Sequence, residues 1–371
     1  MQKKLKIFVD AHCFDGPYQG SRTFIKGLYS ALSLCSDVSL YFGAYNIENI
    51  RKEFPDLPLQ QFIRYKHRSS FMRIAFDLPR ILRTHEFDYA HFQYVAPVVK
   101  YCKYIVTMHD VLFEDFREEF SFLYRLSRTA FFRYSFRQAD VRTAPSAYSG
   151  SRLSFHYKLL PAEIQIVPNG VNDLFFHSLL DKKKSACAIR EKYGVENFIL
   201  YVSRIEPRKN HNRLLQCYLD LELYGQDIPL VFVGEMSLSY PVLMKQMDNL
   251  PPAIRKYVRH FRAVPQEDLA HFYRAARLFV YPSKAEGFGI PPLEAAASGT
   301  PVLCANTTAM ADYTFFSENL FDPFDENELR EKLAYAISRD VDEQMLQSIS
   351  GVIRENYSWQ KSAAELLRRL W

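Results

Sequence analysis

The sequence predicts an α/β protein of two doubly wound domains, each a parallel sheet covered by helices on both faces. Three observations carry that prediction. Short β-branched and aromatic runs alternate with longer stretches of helical periodicity along the whole chain. At 371 residues the chain is too long for one ordinary core and suits two α/β domains. Near the midpoint, Val167-Pro168-Asn169-Gly170-Val171-Asn172 clusters turn formers after one strand and before a polar, lysine-rich stretch. It reads as a hinge between a first domain over 1–168 and a second over 172–356.

In the first domain the apolar runs predict strands over 5–10, 38–42, 89–92, 103–109, 141–144 and 164–167. Helical spacing predicts a helix over 22–34 and a long one over about 120–138. In the second domain strands are predicted over 198–203, 229–234, 258–261, 278–281 and 301–303. Helices are predicted over 210–224, opened by Asn210 and stopped by Gly225, over 267–276, and over 292–298, closed by Gly299. The segment 357–371 has Ala363, Leu366, Leu367 and Leu370 at helical spacing.

With 48% hydrophobic and 24% charged residues, the composition is that of a folded soluble domain rather than a disordered chain. The N-terminus runs from Lys3, Lys4 and Lys6 into an apolar stretch too short for a signal peptide, and no later stretch approaches a membrane span. The six cysteines lie far apart, which fits a reducing cytoplasm and no structural zinc. Residues 1–168 hold 23 Lys/Arg against 16 Asp/Glu, a balance of +7, and the remainder holds 24 against 26, or −2. A basic first half suits an anionic partner, and phosphate-bearing acceptors, membrane surfaces and nucleic acid all satisfy that charge.

Two segments carry chemistry, and each lies between a predicted strand and a predicted helix. Pro282-Ser283-Lys284-Ala285-Glu286-Gly287-Phe288-Gly289-Ile290-Pro291-Pro292-Leu293-Glu294-Ala295 makes a glycine-bearing turn and enters a helix with proline at its first positions. Its glycines let backbone approach a ligand, and amides at a helix start favour phosphate or sugar oxygens. Glu286 in the turn and Glu294 one helical turn in can each accept several O–H bonds, as a sugar and a ribose require. Ser203-Arg204-Ile205-Glu206-Pro207-Arg208-Lys209-Asn210 sets Arg204 and Lys209 at a helix N-terminus, a diphosphate site assembled without metal.

These segments resemble the retaining family 4 glycosyltransferases of the GT-B fold, in which two Rossmann-like domains face each other across a cleft. The Glu-x7-Glu spacing of 286 and 294 and the Arg-x4-Lys pair of 204 and 209 are the specific part of the likeness. It extends to Val231-Phe232-Val233-Gly234, to Val264 with Leu269, to Ala295-Ala296-Ala297-Ser298-Gly299-Thr300-Pro301-Val302 and to the hinge at Pro168-Asn169-Gly170-Val171. In the first domain, His91-Phe92-Gln93-Tyr94 and Thr107-Met108-His109-Asp110 match more loosely. The resemblance implies that Glu286 and the backbone of Gly287, Phe288 and Gly289 hold the donor sugar. It implies diphosphate contacts from Arg204 and Lys209, a ribose contact from Glu294, and base contacts beside Gly234 and Val264. His109 would face the anomeric centre. The loop Asp15-Gly16-Pro17-Tyr18-Gln19-Gly20-Ser21-Arg22 would bring Gly20 toward the donor phosphate, with Arg22 standing where a second glycine is common. Arg262 likewise replaces a glycine two residues before Val264. The last helix, 357–371, would cross back onto the first domain.

The expected reaction moves a hexose, with GDP-mannose or a related donor as the best match, to a glycan or lipid-linked glycan during polysaccharide assembly. The expectation is a cytoplasmic enzyme, peripheral at most on the inner face of the membrane, with no nucleic-acid partner. The nucleotide sugar is a substrate, and neither cofactor nor metal is expected. The Asp340-Val341-Asp342 run looks like a metal-binding acidic motif but sits in a charged helical pattern that reads as a solvated face. The mixed basic and aromatic stretch over 64–83 is a candidate for contact with anionic lipid. A sugar-nucleotide epimerase or glycan phosphorylase on the same fold remains an alternative, as does a non-catalytic sugar-nucleotide binder. An NAD-dependent oxidoreductase would need a G-x-G-x-x-G turn after the first strand, which the sequence lacks.

Overall fold

A computed structural model of the chain describes residues 4–16, 20–176, 181–236 and 240–371. The chain divides into two compact units, Met1–Gly170 together with Tyr357–Trp371, and Val171–Asn356. The division falls inside the Pro168–Asn172 turn cluster.

The first unit contains strands β1 (Leu5–Asp10), β2 (Val38–Ala44), β3 (Phe62–Arg64), β4 (Tyr89–Gln93), β5 (Lys103–Thr107), β6 (Val141–Ala144) and β7 (Ile164–Ile166). They pair in parallel in the order β3-β2-β1-β4-β5-β6-β7. The second contains β8 (Ile199–Val202), β9 (Leu230–Val233), β10 (Val258–Phe261), β11 (Leu278–Tyr281), β12 (Val302–Ala305) and β13 (Leu320–Phe321), ordered β10-β9-β8-β11-β12-β13 and again parallel throughout. Both orders reverse direction after the third strand, the arrangement of the Rossmann fold. Strands buried on both faces read as continuous apolar runs, and β9, β11 and β12 are buried along their whole length.

In chain order the principal helices are α1 (Gly20–Ser33), α2 (Phe122–Gln138), α3 (Ala147–Tyr157), α4 (His211–Asp220), α5 (Gln266–Ala275), α6 (Ile290–Ala297) and α7 (Trp359–Leu367). Two strands went unpredicted, β3 and β13, which contain three and two residues. Both lie at sheet edges, where a few ladder bonds suffice and leave little hydrophobic pattern. The strand expected over 103–109 ends at Thr107, so His109 stands in the loop beyond it. The helix expected over 210–224 stops at Asp220, before a separate turn at Leu223–Gln226. Asn210 does not cap that helix through its side chain. It adopts φ +59°, and its Nδ2 donates instead to the carbonyl of Pro323 at 3.3 Å.

The C-terminal helix α7 packs on the first unit. Trp359, Ala363, Leu366 and Leu370 join the core formed by β1, β2 and α1. A Cβ on Gly170 would lie 2.5 Å from the Trp359 backbone nitrogen, and one on Gly27 of α1 would collide with the indole. These two glycines make room for Trp359.

Candidate functional site

The two motif segments follow β8 and β11, which are hydrogen-bonded neighbours at the centre of the second sheet. This is the point where the strand order reverses, and where crevices open at the carboxyl ends of a doubly wound sheet. Backbone and side chain join the two loops. The Lys284 amide donates to the Arg208 carbonyl at 2.9 Å, and the Arg208 guanidinium donates to the carbonyl of Ala285.

Glu286 is the centre of this junction. It is buried, and Lys209 Nζ ion-pairs with its Oε1. Arg208 Nη1 lies 3.3 Å from Oε2, and the Tyr281 hydroxyl donates to Oε1 at 2.9 Å. The Glu286 amide donates to Thr308 Oγ1 at 2.9 Å. Burial opposes ionisation, but Lys209 and Arg208 outweigh it and hold the carboxyl down at about 2. Burial, with the neighbouring Arg208 charge, pulls the Lys209 ammonium below the ordinary lysine range, against the attraction of Glu286. Glu286 is therefore ionised at neutral pH, in direct contact with the Lys209 amine. Arg204, at the start of the first loop, is exposed and makes no ion pair with the described residues.

Past Glu286 the chain is buried through Gly287, Phe288 and Gly289, and Ile290 and Pro291 at the start of α6 are half-buried. Gly289 precedes α6 at φ +89°, and a Cβ there would lie 2.9 Å from Met310 Cγ, so the turn excludes a side chain. The Tyr313 hydroxyl donates to the Phe288 carbonyl at 2.6 Å. Pro291 and Pro292 occupy the opening turn of α6, where missing amide donors cost nothing. Glu294 follows on the same helix. The Tyr273 hydroxyl donates to its Oε2 at 2.9 Å, yet burial dominates and pushes the carboxyl up to about 7. The two glutamates thus sit eight positions apart in opposite electrostatic settings.

Gly234 follows β9 with φ +142°, and a Cβ there would run into the Ser203 carbonyl of the first motif loop. Its own carbonyl lies 2.8 Å from His260 Nε2. Val264 lies partly exposed in the loop after β10, with Arg262 exposed beside it. The Asp340-Val341-Asp342 run, expected within a helical pattern, lies instead in the exposed loop between the helices Glu326–Ser338 and Glu343–Asn356, where Asp342 Oδ1 accepts the Met345 amide at 2.9 Å. A cavity of about 300 Å³ lined by Leu278, Pro301 and Val341 lies at the amino ends of β11 and β12, the end of the sheet opposite the motif loops. Among the described residues, no group of three or more His, Cys, Asp or Glu side chains is placed to hold a metal ion.

In the first unit, His109 Nε2 lies 2.9 Å from Gln93 Oε1, and its ring packs edge-on against Phe24 with centroids 4.9 Å apart. Burial lowers its pKa to about 4, so the imidazole is neutral at physiological pH. With Gln93 accepting, Nε2 carries the hydrogen and Nδ1 keeps a lone pair. Nearby His91 belongs to a separate buried chain, with Nδ1 2.6 Å from the Tyr29 hydroxyl and Nε2 2.7 Å from Thr107 Oγ1. Gly20 opens α1, and a Cβ there would meet nothing within 4 Å. Residues 17–19 of its loop lie outside the described residues.

The structure adds residues that the sequence reading passed over. Arg208, to which the sequence assigns no role, touches Glu206 at 2.6 Å as well as Ala285 and Glu286. Tyr281 and Thr308 hold Glu286, and Tyr273 holds Glu294. Arg208 was legible as a charge beside Lys209. The tyrosines read only as core.

Two α/β domains of Rossmann order, with this junction in the second, define the class of the protein, and the comparisons with known proteins fall in the same class. The family model for glycosyl transferases group 1 matches residues 183–350, and that for Glycosyltransferase Family 4 matches residues 35–173. The chain belongs to the family 4 glycosyltransferases and has their GT-B fold. It is 30% identical over 182 residues to an O-antigen chain mannosyltransferase B of Escherichia coli, a match covering 48% of this chain and 47% of that protein. It is 33% identical over 174 residues to a D-inositol 3-phosphate glycosyltransferase of Segniliparus rotundus, covering 45% and 37%. The matches therefore span less than half the length of either relative. Among solved structures, HepE of Anabaena in complex with UDP superposes with a TM-score of 0.72 at 18% identity, over 99% of each chain.

Proposed function

We propose that the chain is a retaining hexosyltransferase that uses a nucleotide-sugar donor, with GDP-mannose the favoured one, and serves polysaccharide assembly. The observation that carries this reading is the Arg208, Lys209 and Glu286 cluster at the carboxyl ends of β8 and β11, with Arg204 exposed at the start of the same loop as Lys209. Resemblance to an O-antigen mannosyltransferase supports the mannose donor and a glycan or lipid-linked glycan acceptor.

In this reading Arg204 and Lys209 take the diphosphate, with Gly20 on the same group. Glu286 and the Gly287–Phe288–Gly289 turn take the sugar, Glu294 the ribose, and the surroundings of Gly234 and Val264 the base. Cleavage of the sugar–phosphate bond leaves positive charge on the sugar and negative charge on the diphosphate, which the side-chain cations stabilise without a divalent metal. Both oxygens of Glu286 are engaged by Lys209, Arg208 and Tyr281, which leaves it poorly suited to form a covalent sugar intermediate. Front-face attack fits better: the acceptor oxygen bonds to the anomeric carbon as the diphosphate leaves, and a phosphate oxygen takes the acceptor proton. Neutral His109 would bind a sugar hydroxyl through Nδ1 rather than shuttle protons.

Thermal-shift measurements with GDP, UDP, ADP and dTDP and their hexose conjugates, followed by product analysis, test the reading. Stabilisation by GDP and GDP-mannose with transfer that persists in EDTA is the expected result. Selective stabilisation by another nucleotide overturns the donor, and loss of transfer in EDTA with rescue by magnesium overturns metal independence.

A further inference from the structure

Gln93 is the last residue of β4, at the carboxyl ends of the strands where the order of the first sheet reverses between β1 and β4. It lies level with Thr107 in the β4–β5 ladder, and His109 stands two residues past Thr107. Gln93 is 5% exposed, and its Oε1 lies 2.9 Å from His109 Nε2. Its own Nε2 is buried with no partner among the described residues, so the contact with His109 is the amide's one side-chain hydrogen bond. A buried donor with nothing to bond lowers stability, and an apolar side chain of similar size would not carry that penalty. The amide earns its place through what it does to His109.

The residues around the imidazole fix it without charging it. Phe24 of α1 packs edge-on against the ring, the Tyr94 ring lies 5.5 Å away and stacks on Phe132 of α2, and Ser149 of α3 donates its hydroxyl to the His109 carbonyl at 3.1 Å. Tyr94 takes φ +64°, unfavourable for a residue with a Cβ, as the chain turns out of β4 next to Gln93. Of the titratable groups around the ring, His91 and the Tyr94 hydroxyl are kept uncharged by burial. The Asp110 side chain is turned to that hydroxyl and to the Leu112 amide. Other histidines of the first unit are partnered by acids: His12 lies 3.2 Å from Asp10, His67 3.1 Å from Asp77 and His156 2.7 Å from Asp115. At His109 the partner has the shape of a glutamate without its charge.

We propose that Gln93 is a positioning residue for the transfer reaction: its carbonyl oxygen holds His109 as the Nε2–H tautomer, with the Nδ1 lone pair open to a sugar hydroxyl, and its lack of charge keeps the ring from becoming an imidazolium. This role rests on the hexosyltransferase reading, in which the sugar gains positive charge as the diphosphate leaves. A cationic ring beside that sugar would oppose the transition state, whereas a neutral one accepts a hydroxyl hydrogen bond without repelling the developing charge.

Imidazole 15N spectra of the full chain read the tautomer and its titration without any donor, with the His109 signals assigned by their loss in His109→Gln. Wild type should show the Nε2–H form and no transition between about pH 5.5 and 8. Gln93→Glu should keep that form at high pH but bring a His109 transition into the same range. Its kcat relative to wild type should then fall about tenfold as pH drops across that range. Gln93→Leu should populate both tautomers and lose about tenfold in kcat, with no lowering of the melting temperature. Its Kd for the bare nucleotide that best stabilises wild type should be unchanged. An Nδ1–H form in wild type, an unshifted His109 transition in Gln93→Glu, or wild-type turnover in Gln93→Leu overturns the proposal. So does a Gln93→Leu protein that melts well below wild type and loses nucleotide affinity along with turnover, since Gln93 would then be a core residue. If the chain transfers no hexose, the hexosyltransferase reading fails, and the spectra still decide whether Gln93 sets the state of the ring.

Discussion

Lys209 and Glu286 form one buried ion pair across 77 residues of sequence. The sequence reading had divided them, with the lysine on phosphate and the glutamate on sugar. Paired, each sets the orientation and charge of the other, and Arg208 and Tyr281 close the network around them. Removing one partner leaves an uncompensated charge that burial penalises. Lys209→Met should therefore lower unfolding free energy by about 3 kcal/mol. Lys209→Met/Glu286→Leu should cost clearly less than the sum of Lys209→Met and Glu286→Leu. Urea denaturation of the four proteins in this cycle measures the coupling, and additive losses would mean that the pair is not a unit in solution.

Glu294 should give the fold a distinct pH dependence. Its folded pKa of about 7 lies above the ordinary glutamate value of 4.5, so the native state holds a proton that the unfolded chain has released between those values. That contribution to stability is fully present below about 4.5 and is lost as pH rises through about 7. The Glu294→Gln variant should lack this loss, and its stability relative to wild type should rise across the same window. Ionised Glu294 accepts more O–H bonds than the protonated form. Donor KM should accordingly fall as pH rises through 7 in wild type but not in Glu294→Gln, with kcat staying within about tenfold. Glu286→Gln should instead lower kcat by roughly 10²-fold, since the transferred sugar gains charge in the transition state. The reverse division between the two residues would mean that the donor lies the other way round.

Most of the architecture was legible because parallel strands buried on both faces leave unbroken apolar runs. The runs at 5–10 and 278–281 coincide with β1 and β11 to the residue, and so do the mixed segments at 141–144 and 258–261 with β6 and the edge strand β10. The edge strands β3 and β13, of three and two residues, are too short to leave such a trace. In the site, charge and glycine spacing marked Arg204, Lys209, Glu286, Glu294 and Gly289. Spacing cannot show that two motif loops meet, however, and so the Arg208–Glu286 contact and the tyrosine hydroxyls stayed hidden.

His109 should remain neutral through the working pH range. Burial lowers its pKa to about 4 from the ordinary 6.5, so its contribution to stability is complete above 6.5 and is lost as pH falls through about 4. Proton-detected titration of the imidazole should show no transition between pH 5.5 and 8. His109→Ala should reduce turnover by weakening sugar contacts without moving either limb of the pH–rate profile. A His109 transition near 6.5, or a shifted limb in the variant, would restore it as a proton carrier.

The return of the chain to its first domain yields the clearest stability prediction. The indole of Trp359 is seated where Gly27 and Gly170 leave no side chain, and the Ser362 hydroxyl donates to the Pro168 carbonyl at 2.6 Å. Tyr89 of β4 donates its hydroxyl to the Leu370 carbonyl at 3.1 Å. Helix α7 is thus part of the first core rather than a tail of the second. Trp359→Ala removes a large buried ring from between two glycines that cannot fill the space, and should cost about 3–5 kcal/mol. Gly27→Ala should be destabilising as well, because its methyl group must displace that ring. Deleting residues 357–371 should lower the melting of the first unit, followed by proteolysis or hydrogen exchange at β1 and α1, while protection at β8 and β11 stays near wild type. Equal loss of protection in both units, or none in the first, would show that α7 contributes to the fold differently from its packing here.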